Sequence, residues 1–351
     1  MIRYALENKI IEDAEITHYW DDKEKGYIFS KGNYFWGSIN NRKFNFKINL
    51  NLQKRILLSQ RFIRRTMRFD KSNAIFNFNK DGIVIIYRGK LYFYYIRKNL
   101  LKEILNLKNC RNILHNGICV SEKGIFFGEY GGNKYRKEVP VYASYNDGRA
   151  WEIVYKFKEN TIRHIHGIYF DKYSKSLFIT TGDNIGECFL VKVSNNFSTL
   201  EFIGNGSQEY RCVNLFFKKD KLIWGMDSEI QPSYIQYWDR KTKKLERGIE
   251  LAGPAWYSKE FKDGSGIIQT TSEVGAGVKD NFANLYFSED LENWQFLKKY
   301  KKDIWPKKVF KYGVIGFAEG SQNRYNFPIH AEGLQEIDGK SLLSSIKEII
   351  Y

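Results

Sequence analysis

One unit recurs along this chain. It opens on an apolar run, turns at Lys, Asp or Gly, and closes a second apolar run on a carboxylate. Five copies align: HNGICVSEKGIFFGEYGGN from His115, HGIYFDKYSKSLFITTGDN from His166, NLFFKKDKLIWGMDSE from Asn214, YSKEFKDGSGIIQTTSEVGA from Tyr257 and VFKYGVIGFAEGSQN from Val309. Their closing carboxylates, Glu129, Asp183, Asp227, Glu273 and Glu319, recur at intervals of 44 to 54 residues, about one four-stranded blade each. Independent loops would not keep such spacing. Two weaker units precede them, AIFNFNKDGIVIIYRGKLYFY from Ala74 and HYWDDKEKGYIFSKGNYFWGS from His18. The expectation is an all-β fold, a single β-propeller domain over residues 1–351 with seven four-stranded blades, six being the alternative count.

Composition agrees with that fold. Aromatic residues make up 17 % of the chain and 28 glycines are scattered through it, which suits many short strands joined by tight turns. Two segments fit the repeat poorly. Gln53–Phe69 reads as either a short basic helix or an irregular insertion, and the tail from Ser341 spaces Leu342, Leu343, Ile346, Ile349 and Ile350 at helical intervals, predicting a C-terminal helix over 341–350.

A second signal lies between the repeats. Ser144-Tyr145-Asn146-Asp147-Gly148-Arg149-Ala150-Trp151 closely resembles the Asp-box hairpin of the sialidase-like (BNR-repeat) propellers, Ser-x-Asp-x-Gly-x-x-Trp, with Asn146 in place of the usual Asp. Shorter relatives start at Ser288 and, degenerately, at Ser194, both without the glycine. In such a hairpin the short polar side chains bond the turn's own backbone and the Trp packs beneath it, a structural role. The resemblance implies a propeller and glycan chemistry. It stops short of sialidase activity, because only Arg163 and Arg211 are placed to act as site arginines and no Phe-Arg-Ile-Pro-like motif precedes the repeats.

In a propeller blade the start of the first strand and the end of the second emerge on one face. Starts of first strands supply His115, Arg163, His164, His166, Tyr210 and Arg211, while ends of second strands supply Glu129, Asp183, Asp227, Glu273 and Glu319. Tyr130, Trp224 and Trp256 add aromatic faces on which a sugar ring could stack. Three of the chain's five histidines are in this set, and strand alternation puts His164 and His166 on one side. They are candidates either for a general base with its orienting partner or for two ligands of a divalent metal such as Zn or Mn.

The leading expectation is a glycan-active enzyme, a glycoside hydrolase acting on an acidic or bacterial surface saccharide. Asp183, Asp227 and Glu129 would be its catalytic carboxylates, with His164 or His166 beside them. His115, Arg163, Tyr210, Arg211, Glu273, Glu319, Tyr130, Trp224 and Trp256 would bind substrate. The alternatives are a polysaccharide lyase with a histidine base and a divalent metal, and a non-catalytic propeller that binds glycan or protein.

The net charge of +16 is densest where Arg42, Lys43, Lys47, Lys54, Arg55, Arg61, Arg64, Arg65 and Arg68 face only Asp70. That segment would draw polyanions, an acidic glycan or a phospholipid surface for peripheral association, while no nucleic-acid motif accompanies it. Cys110, Cys119, Cys188 and Cys212 lack metal spacing and read as buried thiols. No run approaches the ~18 apolar residues of a membrane span, and the start MIRYALENKIIED lacks a signal-peptide core. The expectation is a cytoplasmic protein.

Overall fold

The structure, a computed structural model, describes residues 3–50 and 60–349. Seven four-stranded antiparallel sheets are present, at residues 16–47, 73–106, 118–157, 164–206, 216–250 and 255–301, and at 314–349 completed by Arg3–Ile11. The fold is a seven-bladed all-β propeller. Packing divides the chain into two compact units, Met1–Lys71 with Ala252–Tyr351, and Ser72–Leu251. The first holds blades one, six and seven; the second holds blades two to five.

Second strands are short continuous apolar runs and are buried on both faces, as Gly82–Tyr87 and Ser176–Gly182 are along their whole lengths. The fourth strand Leu100–Asn106 has no buried residue and admits Lys102, Glu103 and Asn106 among its aliphatic side chains. Blades three and four share a core in which Phe126, Val141, Ile165, Ile179 and Val191 pack together. Trp224 belongs to the next such core, with Phe178, Leu190 and Leu222. It is fully buried and its indole N–H donates to the Glu209 carbonyl at 2.9 Å, so it is a packing residue and not the stacking platform expected from sequence.

Three first strands carry a β-bulge at an equivalent place. The pairing skips His18, His166 and Trp256, which oppose no partner residue. A bulge adds one residue and re-aims the side chains around it.

The carboxylate series holds for four members. Glu129, Asp183, Asp227 and Glu273 follow the second strands Gly124–Gly128, Ser176–Gly182, Lys221–Gly225 and Gly266–Thr270. Glu319 does not, because it follows Val314–Phe317, the first strand of the seventh blade. The apolar Val309-Phe310 that posed as a first strand belongs to a helical turn, Lys307–Phe310. In that blade the second strand, Phe327–Glu332, ends on Glu332, which pairs with Lys71.

The tail is a correction too. Ser341–Ile349 is a strand paired with Arg3–Ile11, and its buried residues Leu342, Ser344 and Ile346 follow a period of two. The helical reading leaned on Ile349, which is exposed, and on Ile350, which lies outside the described residues. Of the insertion, residues 53–59 lie outside the described residues, and Arg61–Thr66 is a helix. Its arginines are not a free polyanion surface. Arg64 pairs with Glu15, both buried, buried Arg65 pairs with half-buried Asp303, and Arg61 reaches Asp338 at 3.1 Å. Arg42, Lys43 and Lys47 remain exposed.

Two of the three box-like hairpins share the Trp indole bond to the carbonyl three residues earlier and the Ser hydroxyl bond to the Asn or Asp, while that Asn or Asp accepts from different amides. Asn146 Oδ1 accepts from the Ala150 N–H at 2.7 Å and the Trp151 indole donates to the Gly148 carbonyl at 3.0 Å. Asp290 Oδ1 accepts from Glu292 and Asn293 at 2.8 Å each, and the Trp294 indole donates to the Leu291 carbonyl at 3.1 Å. The segment at Ser194 shows no such side-chain bonds among the described residues.

Candidate metal centre

The site lies wholly in the Ser72–Leu251 unit. His164 opens the first strand of blade four, His166 is the bulge residue two further on, and Asp183 follows the adjoining second strand. The bulge brings both imidazoles to one place. The strand ends at Gly182, where a Cβ would stand 2.6 Å from His166 Cε1. Only glycine lets the His166 ring lie that close.

Each imidazole is oriented through Nδ1. His164 Nδ1 lies 2.8 Å from the Gly131 carbonyl oxygen and His166 Nδ1 lies 2.9 Å from that of Cys212. A carbonyl oxygen only accepts, so each Nδ1 carries a proton and each Nε2 of a neutral ring presents a lone pair. Those lone pairs converge. The two Nε2 atoms are 3.1 Å apart, and Asp183 Oδ1 is 3.2 Å from one and 3.0 Å from the other. Burial holds the His164 imidazole below its usual range, an effect that the neighbouring Asp183 only partly offsets, so at neutral pH its Nε2 brings no proton to separate the three.

A divalent cation fits that donor set. Ligand atoms about 2.1 Å from one ion and at right angles to each other are about 3.0 Å apart, so edges of 3.0 to 3.2 Å match three cis positions of an octahedron. Two imidazoles and one carboxylate on one face form a familiar transition-metal triad with open positions left for substrate or water. Among the described residues this is the one cluster of three or more such ligands.

The surroundings hold Asp183 in place. Its backbone carbonyl accepts from Gln208 Nε2 at 2.8 Å, Arg163 Nη1 meets Oδ2 at 2.8 Å, and Arg211 Nη2 is 3.5 Å from Oδ1. Burial opposes ionisation of Asp183, but its imidazole neighbours outweigh it when they carry an Nε2 proton, and then hold the carboxyl far below the usual range. Arg211 is buried and shared, with Nε 3.3 Å from Asp227 Oδ2 and Nη1 2.7 Å from Glu229. Despite its own burial, those three acids raise its basicity. Asp227 is the reverse case: burial pushes its carboxyl up to about 6 although Arg211 opposes the change, and its Oδ1 has no hydrogen-bond partner. Tyr130 is half-buried with its ring 4.3 Å from that of His164.

The other residues named from sequence divide plainly. Glu129 lies on the strand edge beside this site, its carbonyl accepting from the Ile165 N–H at 3.0 Å, but its carboxylate turns away to the Tyr142 hydroxyl. Tyr210 packs its ring against Gly204 and near Trp224. His115 is half-buried ahead of the strand Ile118–Ser121 and is no member of the triad. Glu273, Glu319 and Trp256 belong to the other unit. There Glu273 accepts from Thr271 Oγ1 at 3.2 Å, burial raises the Glu319 carboxyl against the opposing charge of Lys259, and Trp256 packs edge-on to Tyr257 and Tyr312. Sequence reasoning missed Gln208, Glu229 and Gly182. The first two carry no motif, while a glycine directly before a candidate ligand was a signal that could have been read.

No family model matches this chain, and no curated protein matches it. Solved structures do. Over 98% of this chain and 97% of the other, it is similar to an oligogalacturonate lyase from Vibrio parahaemolyticus, with a TM-score of 0.56 and 9% identity. An oligogalacturonate lyase in complex with manganese aligns over 99% and 97%, with a TM-score of 0.52 and 6% identity. A chain of the mitotic checkpoint complex aligns over 97% and 92%, with a TM-score of 0.56 and 7% identity. Likeness at such identity shows the fold.

Proposed function

We propose that this protein is a divalent-metal-dependent enzyme acting on an acidic saccharide, a lyase that cleaves a 4-linked uronide by β-elimination. The observation that carries the reading is the meeting of three lone-pair atoms, His164 Nε2, His166 Nε2 and Asp183 Oδ1, with both Nδ1 protons committed to backbone carbonyls. A divalent ion bound there supplies Lewis-acid polarisation of the substrate carboxylate, which acidifies the neighbouring C5 proton. Arg163, one-third exposed, lies beside Asp183 where it can pair with the same carboxylate. Tyr130, as its phenolate, would take the C5 proton, and the phenol so formed would protonate O4 of the leaving sugar as the C4–O bond breaks and its electron pair passes to that oxygen. The oligogalacturonate lyases among the similar folds, one of them named with manganese, agree with this chemistry.

The test uses the full chain, stripped with chelator and reloaded with Mn, on oligogalacturonate. Expected are metal-dependent ultraviolet absorbance from the unsaturated product and its loss in Asp183→Asn and Tyr130→Phe. New reducing ends without that absorbance would overturn the lyase in favour of a hydrolase. Saturable binding without turnover would leave a glycan binder.

One observation favours the hydrolase as a second reading. Asp183 is held ionised while Asp227 is pushed up to about 6, and a pair of carboxyls driven apart in this way is the pattern of base and acid. Asp227 is, however, buried behind Arg211. We also propose kinship with the sialidase-like propellers, supported by the hydrogen bonds that the hairpins at Asn146 and Asp290 share.

A further inference from the structure

The helix Arg61–Thr66 and the helical turn Lys307–Phe310 touch within the unit of Met1–Lys71 and Ala252–Tyr351, and much of what they present to water is apolar. The rings of Phe62, Trp305 and Phe310 form one cluster, their centroids 5.1 to 5.4 Å apart. Phe310 is buried, Phe62, Trp305 and Val309 are exposed, and Ile304, next in sequence to Trp305, is 84 % exposed. A contiguous apolar patch left in water marks an interaction site. This one is held from below. Buried Arg65 pairs with Asp303 and donates to the Phe310 carbonyl at 3.1 Å, the Trp305 carbonyl accepts from Lys302 Nζ at 3.1 Å, and the Trp305 N–H donates to Asp303 Oδ1 at 3.2 Å. Ionic bonds thus keep Ile304 and Trp305 standing in water.

Charge selects the occupant. No acid occurs in residues 60–68, and Asp303, the one acid in residues 301–311, is taken up by Arg65 and Lys302. Glu273, near Lys307, is buried. Lys308 and Lys311 are exposed and have no ion-pair partner among the described residues. We propose that this patch docks the protein on an anionic phospholipid bilayer. A side chain as prominent as Ile304 loses most of its contact with water by entering the acyl boundary, the Trp305 indole suits the headgroup level, and the two ammonium groups meet lipid phosphates and carboxylates. The metal centre lies in the other unit, so this docking stands or falls apart from the saccharide chemistry.

Vesicle flotation of the full chain is the measurement, on equal parts phosphatidylcholine and phosphatidylserine and on phosphatidylcholine alone. Binding to the mixed vesicles is expected, at least about tenfold tighter than to phosphatidylcholine. A net charge of +16 would draw the chain to any anionic surface, so the deciding variant leaves charge unchanged. Ile304→Gln, at a position too exposed to disturb the fold, should weaken binding to the mixed vesicles by about tenfold. Lys308→Gln with Lys311→Gln should lose more of the phosphatidylserine preference than Lys43→Gln with Lys47→Gln, which removes equal charge from the strand Arg42–Lys47. No flotation with either vesicle, equal binding to both, Ile304→Gln floating as the wild type does, or the reverse order of the two lysine pairs would each overturn the proposal. Self-association abolished by Ile304→Gln, in place of flotation, would overturn it in favour of a second copy of the chain.

Discussion

His164 and His166 present their Nε2 atoms to one another at 3.1 Å, and neither ring has a hydrogen to place between them while it is neutral. Two lone pairs and a carboxylate oxygen at that distance repel unless a proton or a cation joins them. This yields the first prediction. Protein purified without a histidine tag should contain near-stoichiometric Mn or Zn, and His166→Ala should lose it. Metal at 100 times its dissociation constant should add about 2.7 kcal/mol of stability, read as a chelator-sensitive melting temperature. Retention should fall as pH falls, because protons compete for the imidazoles. A melting temperature indifferent to both chelator and metal would remove the centre.

A sharper variant alters no ligand. Gly182→Ala puts a methyl group 2.6 Å from His166 Cε1, so the ring must move. Metal affinity should drop by about tenfold or more, the scale seen when a ligand's orientation is disturbed. Because all three ligands remain, excess metal should restore the bound state. Unchanged affinity would show that the ring has room to spare.

Stability should also carry the mark of Asp227. Its folded pKa, about 6, is above the ordinary 3.8, so between those values the native state holds a proton that the unfolded state has lost. Stability therefore falls as pH rises through that window, by at most about 3 kcal/mol. Asp183 is shifted the opposite way and acts below pH 3.8, outside the window. Urea midpoints from pH 4 to 7 should fall relative to those of Asp227→Asn, because the contributions of Glu129, Glu319 and His164 are common to both proteins and cancel in the difference. Parallel curves would place the proton elsewhere.

The buried arginines of the helix Arg61–Thr66 lead to the fourth expectation. Arg64→Met removes the cation from beside buried Glu15, leaving Arg61 Nη1 3.6 Å away as compensation. The cost should be about 3 kcal/mol in denaturant unfolding. Retention of the folded fraction on heparin should not change. Weaker retention at full stability would return this arginine to the surface role.

How much of this was legible beforehand follows from where each signal was written. The blade count came from a repeat of apolar runs, because every second strand must fill the same buried slot and so is spelled alike, from GIVIIY to SLFITTG. The two box-like hairpins were legible because their bonds are local, within four residues of Asn146 or Asp290. His164 and His166 were found from strand alternation and Asp183 from the recurring carboxylates, although the bulge at His166 was not foreseen. Glu319 was misplaced because Val309 and Phe310 are as apolar as a strand, and only the turn at Lys307–Phe310 tells them apart. Trp224 failed for a related reason: a large aromatic at the end of a strand reads the same whether it meets solvent or a neighbouring blade. The tail was misread because the burial of Ser344, which sets the period of two, depends on the partner strand Arg3–Ile11 at the far end of the sequence.

That same pairing sets an order on synthesis. Arg3–Ile11 leaves the ribosome more than three hundred residues ahead of its partner Ser341–Ile349. While the residues between them are made, Arg3–Ile11 has no ladder to join, so a bare strand must be kept from other chains as the intervening blades form. A chain that stops anywhere before residue 341 never acquires the partner, and is left with an unclosed edge that an intact copy does not expose.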